Sequence, residues 1–223
     1  MYKFKNMKKE FKDCKIVACI MAHHDDQFID RLLENLNKFT SDFYINLNNA
    51  TQYTKNACIS NKNTKKYIIT NEPWRQGYQR EITARLVDEV EPDIVLFPDS
   101  DELYCDDLME TLEKFWESDK KGCWFEMKYC WGDENTVRLD HHFQHMIHVR
   151  AFKWIPNISY EGYRGYACPI NYFHEKRTKF VSLSPVKHLK FLKKENLERV
   201  KEESKEKGFY TRTYNKFNKH FGE

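Results

Sequence analysis

Apolar runs and helix-period segments alternate along the first half of the chain. Residues 14–22 form a continuous apolar run of strand length, a pattern typical of a strand that is covered on both faces. Residues 25–39 follow with apolar side chains at helical spacing, namely Phe28, Ile29, Leu32, Leu33 and Leu36. The pattern predicts a strand followed by an amphipathic helix.

Further elements continue this alternation as far as residue 119. They are a strand at 42–48 that ends in the turn sequence NNATQ, a strand at 65–70, a helix at 79–90, a buried strand at 93–97 and a helix at 106–119. Strands and helices in such regular order predict an α/β fold, with a mostly parallel sheet and helices on both faces.

After Gly122 the pattern changes. Aromatic-rich strands are predicted at 123–131 and 143–154, and a charged helix at 194–207. A chain of 223 residues is long enough for one domain with a substantial core. The first half has the pattern of a nucleotide-binding platform, and the second half that of a lid or acceptor wall on the same domain.

The cysteines and the apolar runs indicate in which cellular compartment the protein is found. The seven cysteines contain no C-x-x-C pair, which argues against a disulfide framework and against a thiolate zinc site. No run approaches 18 uncharged apolar residues, and the first 15 residues lack the apolar stretch of a signal peptide. We therefore predict a soluble protein of a reducing cytoplasm, without an integral membrane segment.

The net charge of +3 is too small to identify a nucleic-acid-binding protein, but its distribution is uneven. From Lys187 onward lysine and arginine predominate, with Tyr210, Tyr214, Phe217 and Phe221 between them. Such a tail can meet phosphates or stack on bases. A solvated amphipathic helix with a frayed end has the same pattern and is the explanation we favour.

The sequence EPDIVLFPDSDELY carries the strongest chemical signal. Its buried strand leads into Asp99, Asp101 and Glu102, which places them at the carboxyl edge of the predicted sheet, where ligands bind in open α/β folds. In an extended chain Asp99 and Asp101 point to one side and Ser100 to the other. Two such carboxylates repel each other unless a cation lies between them, and hard oxygen ligands suit Mg²⁺ or Mn²⁺ carrying a substrate diphosphate. The alternative is an acidic turn before the next helix.

The surroundings of this D-x-D motif resemble those in the GT-A glycosyltransferases, especially the family-2-like branch. In that branch a glycine, an arginine, a helix and a strand ending in D-x-D-E follow one another, as Gly77, Arg80, the helical segment at 81–90 and the strand before Asp99 do in this chain. The resemblance extends over about residues 15–205 and is specific only in the D-x-D-E segment. It implies a single-domain, GT-A-like α/β fold and a metal-dependent transfer of a sugar from a nucleotide-diphosphate donor, with UDP as the expected nucleotide.

On this basis we divide the chain into four parts. They are an N-terminal extension (1–14), a nucleotide-sugar-binding half (15–120), an acceptor-binding half (121–208) and a basic aromatic tail (209–223).

The resemblance also implies roles for single residues. Asp99, Asp101 and the late His188 in VKHLKF would hold Mn²⁺ or Mg²⁺, and Arg80 would pair with the diphosphate or brace the two aspartates. The remaining donor-binding candidates stand at the ends of strands: Ala22, His23, Asn48 and Ser100. The turn NNATQ replaces the acidic turn that is usual in the family, so the base that is recognised stays open.

A carboxylate that takes the proton of the acceptor hydroxyl is required only if the configuration of the sugar is inverted. The candidates are Glu161, which lies in SYEGYRGY where the acceptor-facing carboxylate of the family often falls, then Asp140, and Glu134 beside Asp133. Each is equally explained as a surface acid. The expected acceptors are a glycan, a protein hydroxyl or, given the basic tail, a hydroxymethylated base in DNA.

A second resemblance concerns the segment AHHDD at residues 22–26. It is similar to the first motif of zinc-dependent sugar N-deacetylases, which would make His23 and Asp26 zinc ligands and Asp25 the general base, with later histidines from LDHHFQHMIH at 139–148. The chain lacks the glycine-rich turn that follows in that family and a histidine in PDSDELYCDD. We therefore favour the glycosyltransferase, with the deacetylase and a non-catalytic GT-A-like binding protein as alternatives.

Overall fold

The computed structural model describes residues 9–24, 26–73, 75–138, 146–156, 179–182 and 184–192, together with residues 195, 198, 213 and 214. Its strands are β1 (Ile16–Ala22), β2 (Phe43–Asn48), β3 (Thr64–Thr70), β4 (Ile94–Leu96), β5 (Glu102–Tyr104), β6 (Gly122–Trp131), β7 (Asp133–Arg138), β8 (Ile147–Lys153), β9 (Lys179–Val181), β10 (Val186–Phe191) and β11 (Thr213–Tyr214). Its helices are α1 (Ile29–Leu36), α2 (Gln52–Ser60), α3 (Gln76–Arg85) and α4 (Leu108–Glu117), with a 3-10 turn at Phe11–Asp13.

The strands of the described part form one sheet. Its main path runs in the order β11-β7-β6-β8-β4-β1-β2-β3. The four strands β3, β2, β1 and β4 are parallel to one another, whereas β8 is antiparallel to both β4 and β6. Strand β10 lies off this path, antiparallel to β5 and parallel to β6. The sheet is therefore parallel in the first half of the chain and mixed in the second.

Both faces of the parallel half are covered. Ala18, Ile20 and Ala22 of β1 pack in one apolar cluster with α1 and α4. The residues between them pack in a second cluster, on the side of α3. Burial of a large aliphatic side chain contributes about 1.5–3 kcal/mol, so a strand with two buried faces needs apolar side chains at every position. The predicted α/β class, with helices on both faces of the sheet, is confirmed.

Helix α2 is present in the structure but was not predicted from the sequence. Only Thr54 and Cys58 of this helix are buried, so the sequence has no apolar periodicity to indicate it. Its start does carry a signal, since Thr51 is the N-cap and its side chain accepts a hydrogen bond from the backbone N–H of Thr54. The predicted turn NNATQ thus leads directly into a helix.

The helix predicted at 79–90 begins three residues earlier, at Gln76, and ends at Arg85. The backbone N–H groups of Leu86 and Val87 bond to carbonyls three residues back, at 3.2 Å each, so the chain continues in turns. Both side chains remain buried, which produced the helix-like pattern.

The strand character predicted for the second half is confirmed in β6 and β8. Of the charged helix at 194–207, only residues 195 and 198 belong to the described part, and both are helical. The four-part division of the chain stays a prediction, as does the cytoplasmic location. No helix in the described part combines the length and the apolar character needed to cross a membrane.

Candidate functional site

Asp99 lies at the carboxyl edge of the parallel strands. A β-bridge joins it to Met21, the penultimate residue of β1, and so extends the parallel pairing of β1 and β4. Its side chain is 24% exposed. This is the edge at which open α/β sheets bind their ligands.

The chain turns immediately after Asp99. The backbone N–H of Glu102 donates to the carbonyl of Asp99 at 3.2 Å, with Ser100 and Asp101 in the turn between them. The predicted extended backbone from Asp99 to Asp101 is therefore wrong, although both side chains lie near His188. Ser100 is almost completely buried.

Two arginines hold the carboxylate of Asp99. Arg80 of α3 donates through Nη2 to Oδ1, and Arg150 of β8 donates through Nη2 to Oδ2 at 2.6 Å. The side chain of Arg80 is fully buried, with its guanidinium 5.0 Å from the centre of the Phe97 ring. Of the two contacts predicted for Arg80, bracing of the aspartate is the one seen here.

Glu102 is fully buried behind Asp99. Arg150 binds it with a fork of two hydrogen bonds, Nε to Oε2 at 2.7 Å and Nη2 to Oε1 at 2.5 Å. The backbone N–H of Asp99 donates to Oε2 at 3.0 Å. Sequence reasoning missed Arg150, although a charged residue inside the apolar stretch VRAF indicates a buried ion pair.

The protonation of this cluster follows from burial and from the arginines. Burial alone would raise the pKa of Asp99, but Arg150 and Arg80 outweigh burial and hold that pKa below its usual value. Burial raises the pKa of Glu102, with the charge of Arg150 acting in the opposite direction. Burial, followed by the charge of Arg150, lowers the pKa of His148 to about 4, so this imidazole is neutral at neutral pH.

His188 is brought to the same place by β10. Antiparallel pairing of β10 with β5 sets it opposite Glu102, and its ring stacks on Tyr129 of β6 with 4.6 Å between the ring centres. Its Nδ1 atom lies 3.7 Å from Oδ2 of Asp101. The backbone N–H of Leu189 donates to the carbonyl of Asp101 at 2.7 Å and fixes the turn to β10.

The cluster offers donors of the kind that bind divalent cations. Donor atoms of Asp99, Glu102 and His188 all lie within 4.8 Å of one another, and Asp101 adjoins His188. Both oxygens of Glu102 accept hydrogen bonds from Arg150, and each oxygen of Asp99 accepts one from an arginine. Unlike the fully buried Glu102, the side chains of Asp99 and Asp101 are partly exposed, and His188 is nearly buried. Carboxylate oxygens together with an imidazole nitrogen suit a cation such as Mn²⁺.

The predicted donor-binding residues at the ends of β1 and β2 lie along the same edge. Ala22 is buried at the end of β1, and His23 after it donates from Nδ1 to the carbonyl of Asn48 at 2.5 Å. The side chain of Asn48 is buried and donates to Oγ1 of Thr70 and to the carbonyl of Glu72, each at 3.0 Å. These bonds tie together the ends of the first three strands.

The candidates for the catalytic base are not gathered at this cluster in the described part of the chain. Glu134 of β7 forms an ion pair at the surface with Arg31 of α1, at 2.6 Å. Asp133 accepts hydrogen bonds from the two backbone N–H groups of its own turn. Glu161 and Asp140 lie outside the described residues.

Two of the ligands that the deacetylase alternative requires, His23 and Asp26, have hydrogen-bond partners of their own. Asp26 accepts hydrogen bonds from the hydroxyl groups of Thr51 and Thr54 at the start of α2. Asp25 and residues 139–145 lie outside the described part. Within the part that is described, Asp99, Glu102 and His188 are the one group of three residues with metal-ligand atoms this close together.

Comparisons with known proteins complete the description. No protein-family model matches the chain, and no curated protein matches it. Among solved structures, it is similar to S. aureus TarS 1-349 in complex with UDP-GlcNAc, with a TM-score of 0.43 and 22% identity over 53% of this chain and 36% of that one. It is also similar to glucosyl-3-phosphoglycerate synthase from Mycobacterium tuberculosis in complex with Mn²⁺ and UDP-glucose, with a TM-score of 0.39 and 16% identity over 53% of this chain and 45% of that one. The matches thus span less than half the length of these proteins.

Proposed function

We propose that this chain transfers a sugar from a nucleotide-diphosphate donor to an acceptor hydroxyl with the help of a divalent cation. The observation that supports the proposal is the group of ligand atoms from Asp99, Glu102 and His188 at the carboxyl edge of the parallel strands, with Asp101 lying 3.7 Å from His188. A divalent cation that carries a substrate diphosphate binds to carboxylate ligands of this kind, and open α/β folds bind their ligands at this edge.

In this proposal Asp99, Asp101 and His188 hold Mn²⁺ or Mg²⁺. The bound cation would neutralise the charge that develops on the departing diphosphate. The protein itself keeps Asp99 ionised, because Arg80 and Arg150 lower the pKa of this carboxyl against the effect of burial. Both guanidinium groups are buried and bind the carboxylates. In this proposal the cation, and not an arginine, therefore binds the diphosphate.

The donor would lie across the ends of β1 and β2. Ala22, His23 and Asn48 line that edge, with Ser100 in the turn beside it. The side chain of Asn48 is held by Thr70 and by the backbone of Glu72. In this proposal His23 and the backbone of the NNATQ turn therefore contact the base of the nucleotide. UDP is the first nucleotide to test.

The acceptor would approach over β6 and β8, which continue the sheet beyond β4. His148 of β8 is kept neutral by burial and by Arg150, and so can accept a hydrogen bond from a hydroxyl at neutral pH. For an inverting reaction we retain Glu161, then Asp140 and Glu134, as the proposed bases. A carbohydrate or protein hydroxyl is the proposed acceptor; the hydroxymethylated DNA base stays an untested prediction.

The proposal is tested by measuring the release of UDP from a panel of UDP-sugars with Mn²⁺ or with EDTA. We expect hydrolysis of at least one sugar that requires the cation and is about 100-fold slower in Asp101→Asn, since loss of a charge-stabilising group costs rates of that order. The matched control is Asp106→Asn, which removes an exposed aspartate paired with Lys38 in the segment that follows β5. Failure of every nucleotide with Mn²⁺ to bind, or an unchanged rate in Asp101→Asn, would refute the proposal.

A further inference from the structure

Arg150 owes its position to an irregularity in β8. In the pairing with β6, Ala151 lies opposite Cys123 and Val149 lies opposite Trp124, so Arg150 is an extra residue without a partner on β6. On the other side, the backbone N–H of Phe97 donates to its carbonyl at 2.7 Å. Such a β-bulge redirects a side chain and is common beside active sites.

The bulge directs the guanidinium of Arg150 towards both buried acids. One fork binds Glu102, and the same Nη2 atom also reaches Oδ2 of Asp99 at 2.6 Å. Because Arg80 binds Oδ1 of Asp99, the two oxygens of that carboxylate are held by different arginines from different elements. A carboxylate held at both oxygens cannot rotate about its Cβ–Cγ bond without breaking one of these contacts.

Each carboxylate oxygen has two lone-pair positions. The arginines take one on each oxygen of Asp99, and the side chain is still partly exposed. The remaining positions therefore have a fixed direction relative to the turn that carries Asp101. A lysine in place of Arg150 would keep the charge, but a single ammonium does not reproduce the planar fork.

We propose that Arg150 is a positioning residue, which fixes the rotation of the Asp99 carboxylate and so presents its free lone pairs to the divalent cation. This inference rests on the proposed function, because it assumes that a cation binds at Asp99. Arg150 touches neither the cation nor the substrate. It acts through Asp99, while Glu102 orients Arg150 in turn.

A purely structural role has to be separated from positioning. If Arg150 were needed only to neutralise Glu102, the double variant R150M/E102Q would remove the need for it, because one positive and one negative charge are lost together. If Arg150 positions Asp99, this double variant folds but binds the cation poorly. The single variant R150K keeps the charge and loses the fork, and so tests the same point by a different route.

The experiment measures Mn²⁺ binding with saturating UDP, from the electron paramagnetic resonance signal of free Mn²⁺. Wild type, R150K, R150M/E102Q and the surface control R85M are compared, with circular dichroism to establish folding. We expect R150K and the double variant to bind Mn²⁺ at least about tenfold more weakly, as is usual for residues that orient metal ligands. R85M, which removes an exposed arginine paired with Glu81, should bind like wild type.

The rate of UDP-sugar hydrolysis supplies a second measurement. Loss of positioning should raise the Mn²⁺ concentration that gives half-maximal rate, with a smaller change in the rate at saturating Mn²⁺. Loss of a residue that orients a metal ligand usually weakens metal binding by about tenfold or more. The inference would be overturned if either folded variant bound Mn²⁺ with an affinity within about twofold of wild type. A wild-type chain that binds no Mn²⁺ with any nucleotide would instead refute the proposed function.

Discussion

Replacement of the fully buried Arg80 by methionine should destabilise the folded protein substantially. The substitution keeps most of the apolar volume but removes the guanidinium that donates to Asp99, and it leaves this partly exposed carboxylate with one arginine in place of two. Breaking a buried ion pair by removing one partner costs about 3–5 kcal/mol. Asp99 retains Arg150 and is partly exposed, so the lower end of this range applies. Loss of the contact between the guanidinium and the ring of Phe97 adds about 0.5–1 kcal/mol.

We therefore expect Arg80→Met to lower the free energy of unfolding by about 3.5–4 kcal/mol. For a chain of this size each kcal/mol corresponds to about 2–4 °C in the melting temperature. The assay is equilibrium unfolding in urea at pH 7 with EDTA, so that no cation compensates for the lost charge. The double variant Arg80→Met/Asp99→Asn should regain much of the loss, because it no longer contains an under-compensated carboxylate.

Arg85→Met is the control on the same helix. Arg85 is exposed and pairs with Glu81 one turn away, and such surface pairs contribute about 0–1 kcal/mol. A loss in Arg80→Met no larger than that of Arg85→Met would refute the reasoning that the buried ion pair stabilises the fold. So would a double variant that is less stable than Arg80→Met, since Asp99 would then be stabilising without its partner.

Two further predictions concern pH and the start of α2. The pKa of His148 is lowered to about 4 in the folded protein, below its value of about 6.5 in the unfolded chain. Between these two values the unfolded chain binds a proton at this imidazole and the folded protein does not, so the free energy of unfolding should fall as the pH drops from about 6.5 towards 4. His148→Gln should flatten this part of the pH profile, measured by unfolding in urea. Thr51→Ala removes the N-cap of α2 and should lower the free energy of unfolding by about 1 kcal/mol, whereas Thr51→Ser should leave it nearly unchanged. Equal losses in the two variants would show that the hydroxyl is not the stabilising group.

The α/β architecture was predictable because burial on both faces leaves a direct mark on the sequence. Every residue of β1 from Val17 onward is buried, and this requirement produces the apolar run at 14–22. The location of Asp99 at the edge of the sheet follows from the same pattern, since the acids begin where the apolar strand ends. Helix α2 left no such mark, because it buries only two of its side chains.

The geometry of the acids was not predictable, because it depends on a residue far along the chain. Glu102 can be buried in the turn only because Arg150 neutralises it, and these residues are 48 positions apart. Local reasoning therefore placed Asp99 and Asp101 on an extended strand, and the turn between them reflects the burial of Glu102. The bulge that aims Arg150 is likewise set by pairing between strands and leaves no local signal.

The strand β10 has a consequence for how the molecule folds. It lies between β5, which begins at Glu102, and β6, and it brings His188 to the acids of the first half of the chain. A nascent chain that has emerged only as far as β7 would hold Asp99 and Glu102 without Arg150. The acids would then oppose closure of their own turn until β8 arrives. The parallel strands β1 to β4 and the later strands β6, β8 and β10 should therefore melt and exchange their amide hydrogens as one cooperative unit, and neither group should be obtainable alone as a stable fragment.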